Sequence, residues 1–92
     1  NTKERKDEQD NITIGFTRNF TVFFKGRKLD GGIPELKELL VKALEEKGDT
    51  DKVAFLKADI KIEYGEVMKV MEACREAGVE EIALISEPKV EG

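Results

Sequence analysis

The sequence contains no histidine, no tryptophan and a single cysteine, Cys74. Without histidine the chain lacks the commonest general base and the commonest metal ligand in proteins. One cysteine cannot form an internal disulfide, and Cys74 falls in the middle of an apolar helical stripe with no histidine to activate it. We therefore interpret Cys74 as a core thiol, and we expect no catalytic residue, metal or cofactor.

Long apolar runs and clusters of basic residues are also missing. No apolar run approaches the roughly 20 residues that a helix needs to cross a bilayer. The chain has 20 acidic and 16 basic residues, a net charge of -4, and no group of lysines and arginines that could follow a phosphate backbone. These absences argue against a membrane span in this segment and against nucleic acid as a partner.

The 92 residues are a length typical of a single domain. The first ten residues, NTKERKDEQD, hold seven charges and no apolar side chain. Such a segment cannot offset the entropy lost on ordering, so we predict a flexible linker over residues 1–10 and one domain over residues 11–92. The chain begins with asparagine and shows no signal-like segment, which indicates a piece of a longer protein.

Apolar residues alternate along residues 12–16 and 20–24, which predicts two half-buried strands in a hairpin. A three-residue loop over residues 17–19 would set Phe16 opposite Phe20 and keep both apolar sets on one face, with Asn19 in the left-handed position. The other face then carries Phe23, a large ring among polar residues. We predict that it contacts a partner or a second copy, together with Thr21 and Lys25.

The remaining pattern contains a short return strand at 28–29, a helix opened by Pro34 and ended by Gly48, and a second helix over 64–77 ended by Gly78. The strands at 53–58 and 82–86 are near-continuous apolar runs, as is typical of interior parallel strands. We predict an α+β fold: a two-layer sandwich of order β-β-α-β-α-β, with two helices packed on one face of a mixed sheet.

An acidic stretch lies where the strand at 53–58 gives way to the second helix. Asp59, Glu63, Tyr64 and Glu66 could form an acid/base site, and an enzyme of that kind would lose turnover on Asp59→Asn. No nucleophile or histidine accompanies them. We therefore favour a structural interpretation, in which Asp59 ends a strand and the two glutamates lie near the positive end of a helix.

Residues 56–88, LKADIKIEYGEVMKVMEACREAGVEEIALISEP, resemble the periplasmic domain of the ExbD/TolR family. The family pattern has an Ala-Asp pair at a strand end, a tyrosine about five residues later, a Met-Lys-Val-Met helix, then Ala-Gly and a closing strand. The matching positions here are Ala58, Asp59, Tyr64, Met68, Lys69, Val70, Met71, Glu72, Ala77, Gly78 and Leu84.

The resemblance implies a subunit anchored in the inner membrane by one N-terminal helix, with this domain in the periplasm. It implies a homodimer without enzymatic activity that works with ExbB and TonB, or with TolQ, TolA and peptidoglycan. The Met-Lys-Val-Met run favours the ExbD type. Among the matching positions, Asp59, Tyr64 and Leu84 are the expected contact residues. An alternative of another class is a small regulatory ligand-binding domain of the ACT or ferredoxin-like kind.

Overall fold

The computed structural model describes residues 12–47 and 52–88 of the chain. The linker predicted for residues 1–10 and the helix end predicted at Gly48 lie outside these residues. The described part forms one five-stranded sheet of order β3-β2-β1-β4-β5 and two helices. The elements are β1 (Ile12–Phe16), β2 (Val22–Phe24), β3 (Arg27–Leu29), α1 (Gly32–Lys47), β4 (Val53–Asp59), α2 (Tyr64–Ala77) and β5 (Glu81–Glu87).

The sheet is mixed, and both helices pack against it. Strand β1 pairs antiparallel with β2 and parallel with β4, and β4 pairs parallel with β5. This confirms the predicted α+β fold, with the short return strand present as β3. One continuous core joins the sheet to the buried helix residues Leu36, Leu40 and Leu44 of α1 and Val67, Val70 and Cys74 of α2.

The hairpin register differs from the predicted one by two residues. Phe16 pairs with Val22, and Ile14 pairs with Phe24, so the loop spans five residues rather than three. The Thr17 hydroxyl accepts hydrogen bonds from the backbone N–H groups of Thr21 at 3.1 Å and Asn19 at 3.3 Å, which supports the wider turn. A shift of two preserves the face of every side chain, so the predicted faces of the strand residues survive.

The left-handed residue of this loop is Phe20, with φ of 66°, and not Asn19. Phe20 is therefore not a strand residue facing the core, as predicted, but a loop residue whose side chain is exposed. Its ring lies 6.0 Å from the buried ring of Phe16. Contact with Phe16 offsets part of the strain that a non-glycine residue bears at positive φ.

Helix α2 begins and ends at the predicted residues. Gly78 ends it in a left-handed conformation with φ of 117°, which an L side chain rarely adopts. Helix α1 begins at Gly32, two residues before Pro34, which was predicted at its first position. Pro34 still lies in the first turn, where its missing N–H removes no helical hydrogen bond.

Strand β5 lies at the edge of the sheet, so the prediction of an interior strand was wrong for it. Among the described residues it pairs with β4 alone. Leu84 and Ile85 are correspondingly exposed, although their sequence is as apolar as that of the interior strand β4. An unpaired strand edge presents free backbone donors and acceptors, and here it also leaves apolar side chains uncovered.

Candidate functional site

Three strand ends and the start of a helix meet at one end of the sheet. Strands β1, β4 and β5 run parallel, so their carboxyl ends lie together. The loop over residues 17–21, the turn over residues 60–63 and Pro88 follow these ends directly. Helix α2 begins at the same end, after Glu63. Residues that are distant in the chain are thereby placed side by side.

Asp59, the last residue of β4, is the one buried charged residue in the described part of the chain, at 2% exposure. One of its carboxylate oxygens accepts a hydrogen bond from Nε of Arg18 at 2.9 Å, and the other accepts one from the backbone N–H of Lys61 at 2.8 Å. A buried carboxylate held by an arginine and a backbone amide is well satisfied. These contacts favour a structural role for Asp59 over the acid/base role considered from the sequence.

A groove lies beside this cluster, between the end of β5 and the start of α2. Its volume is about 210 Å³, below the range of roughly 300–1,000 Å³ typical of small-molecule sites. That space suits one or two side chains of a partner better than a cofactor. The lining residues are Ala58, Asp59, Ile60, Ile62, Tyr64, Val67, Leu84 and Ser86.

The three contact residues expected from the family resemblance, Asp59, Tyr64 and Leu84, all line this groove. Tyr64 is 68% exposed and Leu84 is 41% exposed, so both side chains are accessible from solvent. Ile60, at 58%, adds a third exposed apolar side chain. The groove therefore combines uncovered apolar surface with an edge of β5 that no other described strand pairs with.

The three contact residues expected from the hairpin pattern lie elsewhere. Phe23 is half-buried, and its position in β2 opposite Gly15 places it on the face away from the core. Thr21 belongs to the loop before β2. Lys25 lies in the following turn at a φ of 53°, with its ammonium group 5.8 Å from the ring centre of Phe24. Phe24 packs against the core, so the ammonium group of Lys25 lies toward the core side of the sheet. The prediction that Lys25 shares the face of Phe23 was therefore wrong.

Sequence reasoning missed Arg18, Ile60 and Ser86. No local pattern distinguishes Arg18 from other charged loop residues, because its partners are 41 and 70 positions away in the chain. Ile60 does carry a signal: it is an apolar residue directly after a strand-ending aspartate. Phe55 was missed as a companion of Phe23, although its strand position between buried Ala54 and Leu56 puts it on the same face.

Cys74 is fully buried in the core, as its place in the apolar stripe of α2 predicts. Burial disfavours the thiolate and raises the pKa of the Cys74 thiol to about 11. The nucleophilic form is therefore scarce near neutral pH. Across residues 12–47 and 52–88, no group of three or more potential metal ligands comes together.

The fold and the groove define a class: a small α+β domain with β5 at an edge of the described sheet and a shallow, mainly apolar groove beside it. The sequence model of the family described as biopolymer transport protein ExbD/TolR matches residues 1–89. The chain therefore belongs to the ExbD/TolR family of biopolymer transport proteins. No curated protein matches it. In the described ranges, neither helix is long and apolar enough to cross a membrane.

Proposed function

We propose that this chain is the periplasmic domain of an ExbD-type subunit, anchored in the inner membrane. In this proposal it couples the proton motive force to outer-membrane transport through contacts with ExbB and TonB. Membership of the ExbD/TolR family supports the general role. The Met68-Lys69-Val70-Met71 run favours the ExbD type. The proposal assigns the domain no catalysis of its own and treats it as a homodimer.

The observation that carries the proposal is the convergence of Asp59, Tyr64 and Leu84 on one accessible groove. An apolar groove beside a free strand edge can take an extended segment of another protein, with main-chain hydrogen bonds and one or two inserted side chains. Moving one charge through 100 mV supplies about 2.3 kcal/mol. A shallow interface whose strength changes by a few kcal/mol per step is matched to that energy.

The open face of the sheet supports the homodimer in this proposal. Phe23 and Phe55 both lie on that face and are half-buried. Aromatic side chains that a monomer leaves partly uncovered are typical contact residues. We assign the groove to the partner protein and this face to self-association.

The experiment is an NMR titration of the isotope-labelled chain with three probes: a periplasmic segment of TonB, a periplasmic segment of TolA and soluble peptidoglycan fragments. We expect the TonB segment to shift the amide signals of Ile60, Tyr64 and Leu84. A response to TolA or peptidoglycan alone would identify the TolR type instead. If no probe shifts these signals, or if shifts occur only on the outer faces of the helices, the proposed coupling site is wrong.

A further inference from the structure

Arg18 lies outside the groove and holds two of the strand ends that border it. This side chain reaches from the β1–β2 loop to two other elements. Its Nε donates to Asp59 at the end of β4, at 2.9 Å, and its Nη2 donates to the carbonyl oxygen of Pro88, just after β5, at 2.7 Å. Arg18 does not line the groove.

Both partners of Arg18 adjoin the groove. Asp59 lines it directly. Pro88 follows β5, whose Leu84 and Ser86 form the groove's outer wall. Since β5 is an edge strand, it has a neighbour on one side only among the described residues, and its last residues lack the support that an interior strand receives. The main chains also meet at this point: Asp59 pairs with Glu87 in the β4–β5 ladder, and the N–H of Ile60 donates to the carbonyl of Glu87 at 2.8 Å.

We propose that Arg18 is a positioning residue for partner binding. It joins the ends of β4 and β5 and so holds the groove in its open, binding-competent shape. The inference rests on the proposed function of the groove. A planar guanidinium suits this task because it can donate to a carboxylate and a carbonyl at once in a fixed geometry. A lysine would carry the same charge on a single nitrogen and lacks the two fixed donor nitrogens, Nε and Nη2, that make these bonds.

A second ion pair between distant elements, found in the described part of the chain, offers a matched control. Lys37 of α1 and Glu76 of α2 are joined at 2.7 Å, and the Lys37 side chain is 43% exposed against 42% for Arg18. The acidic partners differ: Glu76 is 63% exposed and Asp59 is 1% exposed. Lys37 lies outside the groove. Removing either cation deletes one charge, but only Arg18→Met removes side-chain bonds to the ends of β4 and β5.

The first measurement needs no partner. Amide hydrogen exchange is compared in the full chain, in Arg18→Met and in Lys37→Met. We expect about tenfold faster exchange at Ile60 and Lys61 in Arg18→Met, with the amides of α1 and of the centre of α2 unchanged and no such change in Lys37→Met. Equal exchange at Ile60 and Lys61 in both variants would overturn the positioning role, whether or not the groove binds a partner.

The second measurement is the dissociation constant of the TonB segment, or of whichever of the three probes binds the unmodified chain. We expect Arg18→Met to weaken binding at least fivefold, Arg18→Lys to recover less than half of the lost affinity, and Lys37→Met to bind within twofold of the unmodified chain. Full recovery in Arg18→Lys would reduce the effect to charge alone and overturn the proposal. If exchange responds as expected but no probe binds, the proposed function fails and the role of Arg18 at the strand ends stands.

Discussion

Leu56 and Leu84 are both leucines, and they pair directly across β4 and β5 on the same face of the sheet. Their environments are nevertheless opposite. Leu56 is 0% exposed and Leu84 is 41% exposed. Leu56 lies beneath the helices as part of the core, whereas Leu84 lines the groove. Leu56 stabilises the fold and Leu84 is available to a partner, although the two lie on neighbouring strands.

The difference follows from the widths of the two layers. Two helices side by side, each about 10 Å across, cover about four strands spaced about 4.8 Å apart. The sheet has five. On the hairpin side the cover is sufficient, since Leu29 of β3 is buried at 4% exposure. The helices cover only the first part of β5, where Ile82 packs against the core, and the layer leaves a groove beside Leu84 and Ser86.

The largest effect is expected from Leu56→Ala. Truncating a fully buried leucine removes its packing and leaves a cavity, so we expect the free energy of unfolding to fall by about 3 kcal/mol. Urea unfolding followed by circular dichroism measures it. A loss below about 1 kcal/mol would mean that Leu56 is less enclosed than described and would weaken the contrast with Leu84.

Asp59→Asn tests the buried carboxylate at the end of β4. It removes the negative charge opposite Arg18 and replaces one of the two accepting oxygens with an NH2 group, while Arg18 is 42% exposed and keeps part of its hydration. We expect a loss of about 1–2 kcal/mol of stability in the same unfolding experiment. Unchanged stability would indicate that the desolvation of the carboxylate cancels the gain from its partners.

Leu84→Ala sharpens the comparison by separating stability from binding. Because Leu84 is already exposed to a large extent, we expect a stability loss of less than about 1 kcal/mol, but clearly weaker binding of the probe that the groove accepts. Val41→Ala on α1 is the control, since Val41 is 37% exposed and lies away from the groove. Equal binding by both variants would exclude Leu84 as a contact residue.

Phe23→Ser should have the smallest effect on stability and a distinct effect on association. Phe23 lies on the face opposite the core, so the fold does not depend on its full burial. We expect unfolding to change by less than about 1 kcal/mol and self-association in sedimentation equilibrium to weaken. A variant that associates as strongly as the unmodified chain would remove the open face from the proposed dimer interface.

The hairpin shows which part of a register is readable from sequence. The alternation of Ile14 and Phe16 with their neighbours determines which face each side chain occupies, because the period along a strand is two. The number of loop residues depends instead on the Thr17 hydroxyl bonds and on the left-handed Phe20, which no alternation reveals. The predicted face of Phe23 was therefore right, while its cross-strand partner was wrong.

Strand β5 shows the converse. Its apolar run predicts a strand correctly but does not distinguish an interior position from an edge, because both can be apolar when the edge serves a contact. The location of the candidate site was predictable in part: Asp59, Tyr64 and Leu84, expected as contacts from the family resemblance, line one groove, and their contact with a partner stays a prediction. Arg18 was not, since its role arises only when β1, β4 and β5 end side by side.

The sequence by itself determined the kinds of elements, the bounds of α2 and the family. These depend on local periodicity, on helix-ending glycine and on a contiguous motif. Tertiary structure alone decided that β5 is the outermost strand of the described sheet, that its Leu84 lies beyond the cover of the helices and that Arg18 bridges Asp59 and Pro88. The physical reason is that strand order and long-range contacts are set by how the whole chain buries its apolar surface, and no short segment encodes them.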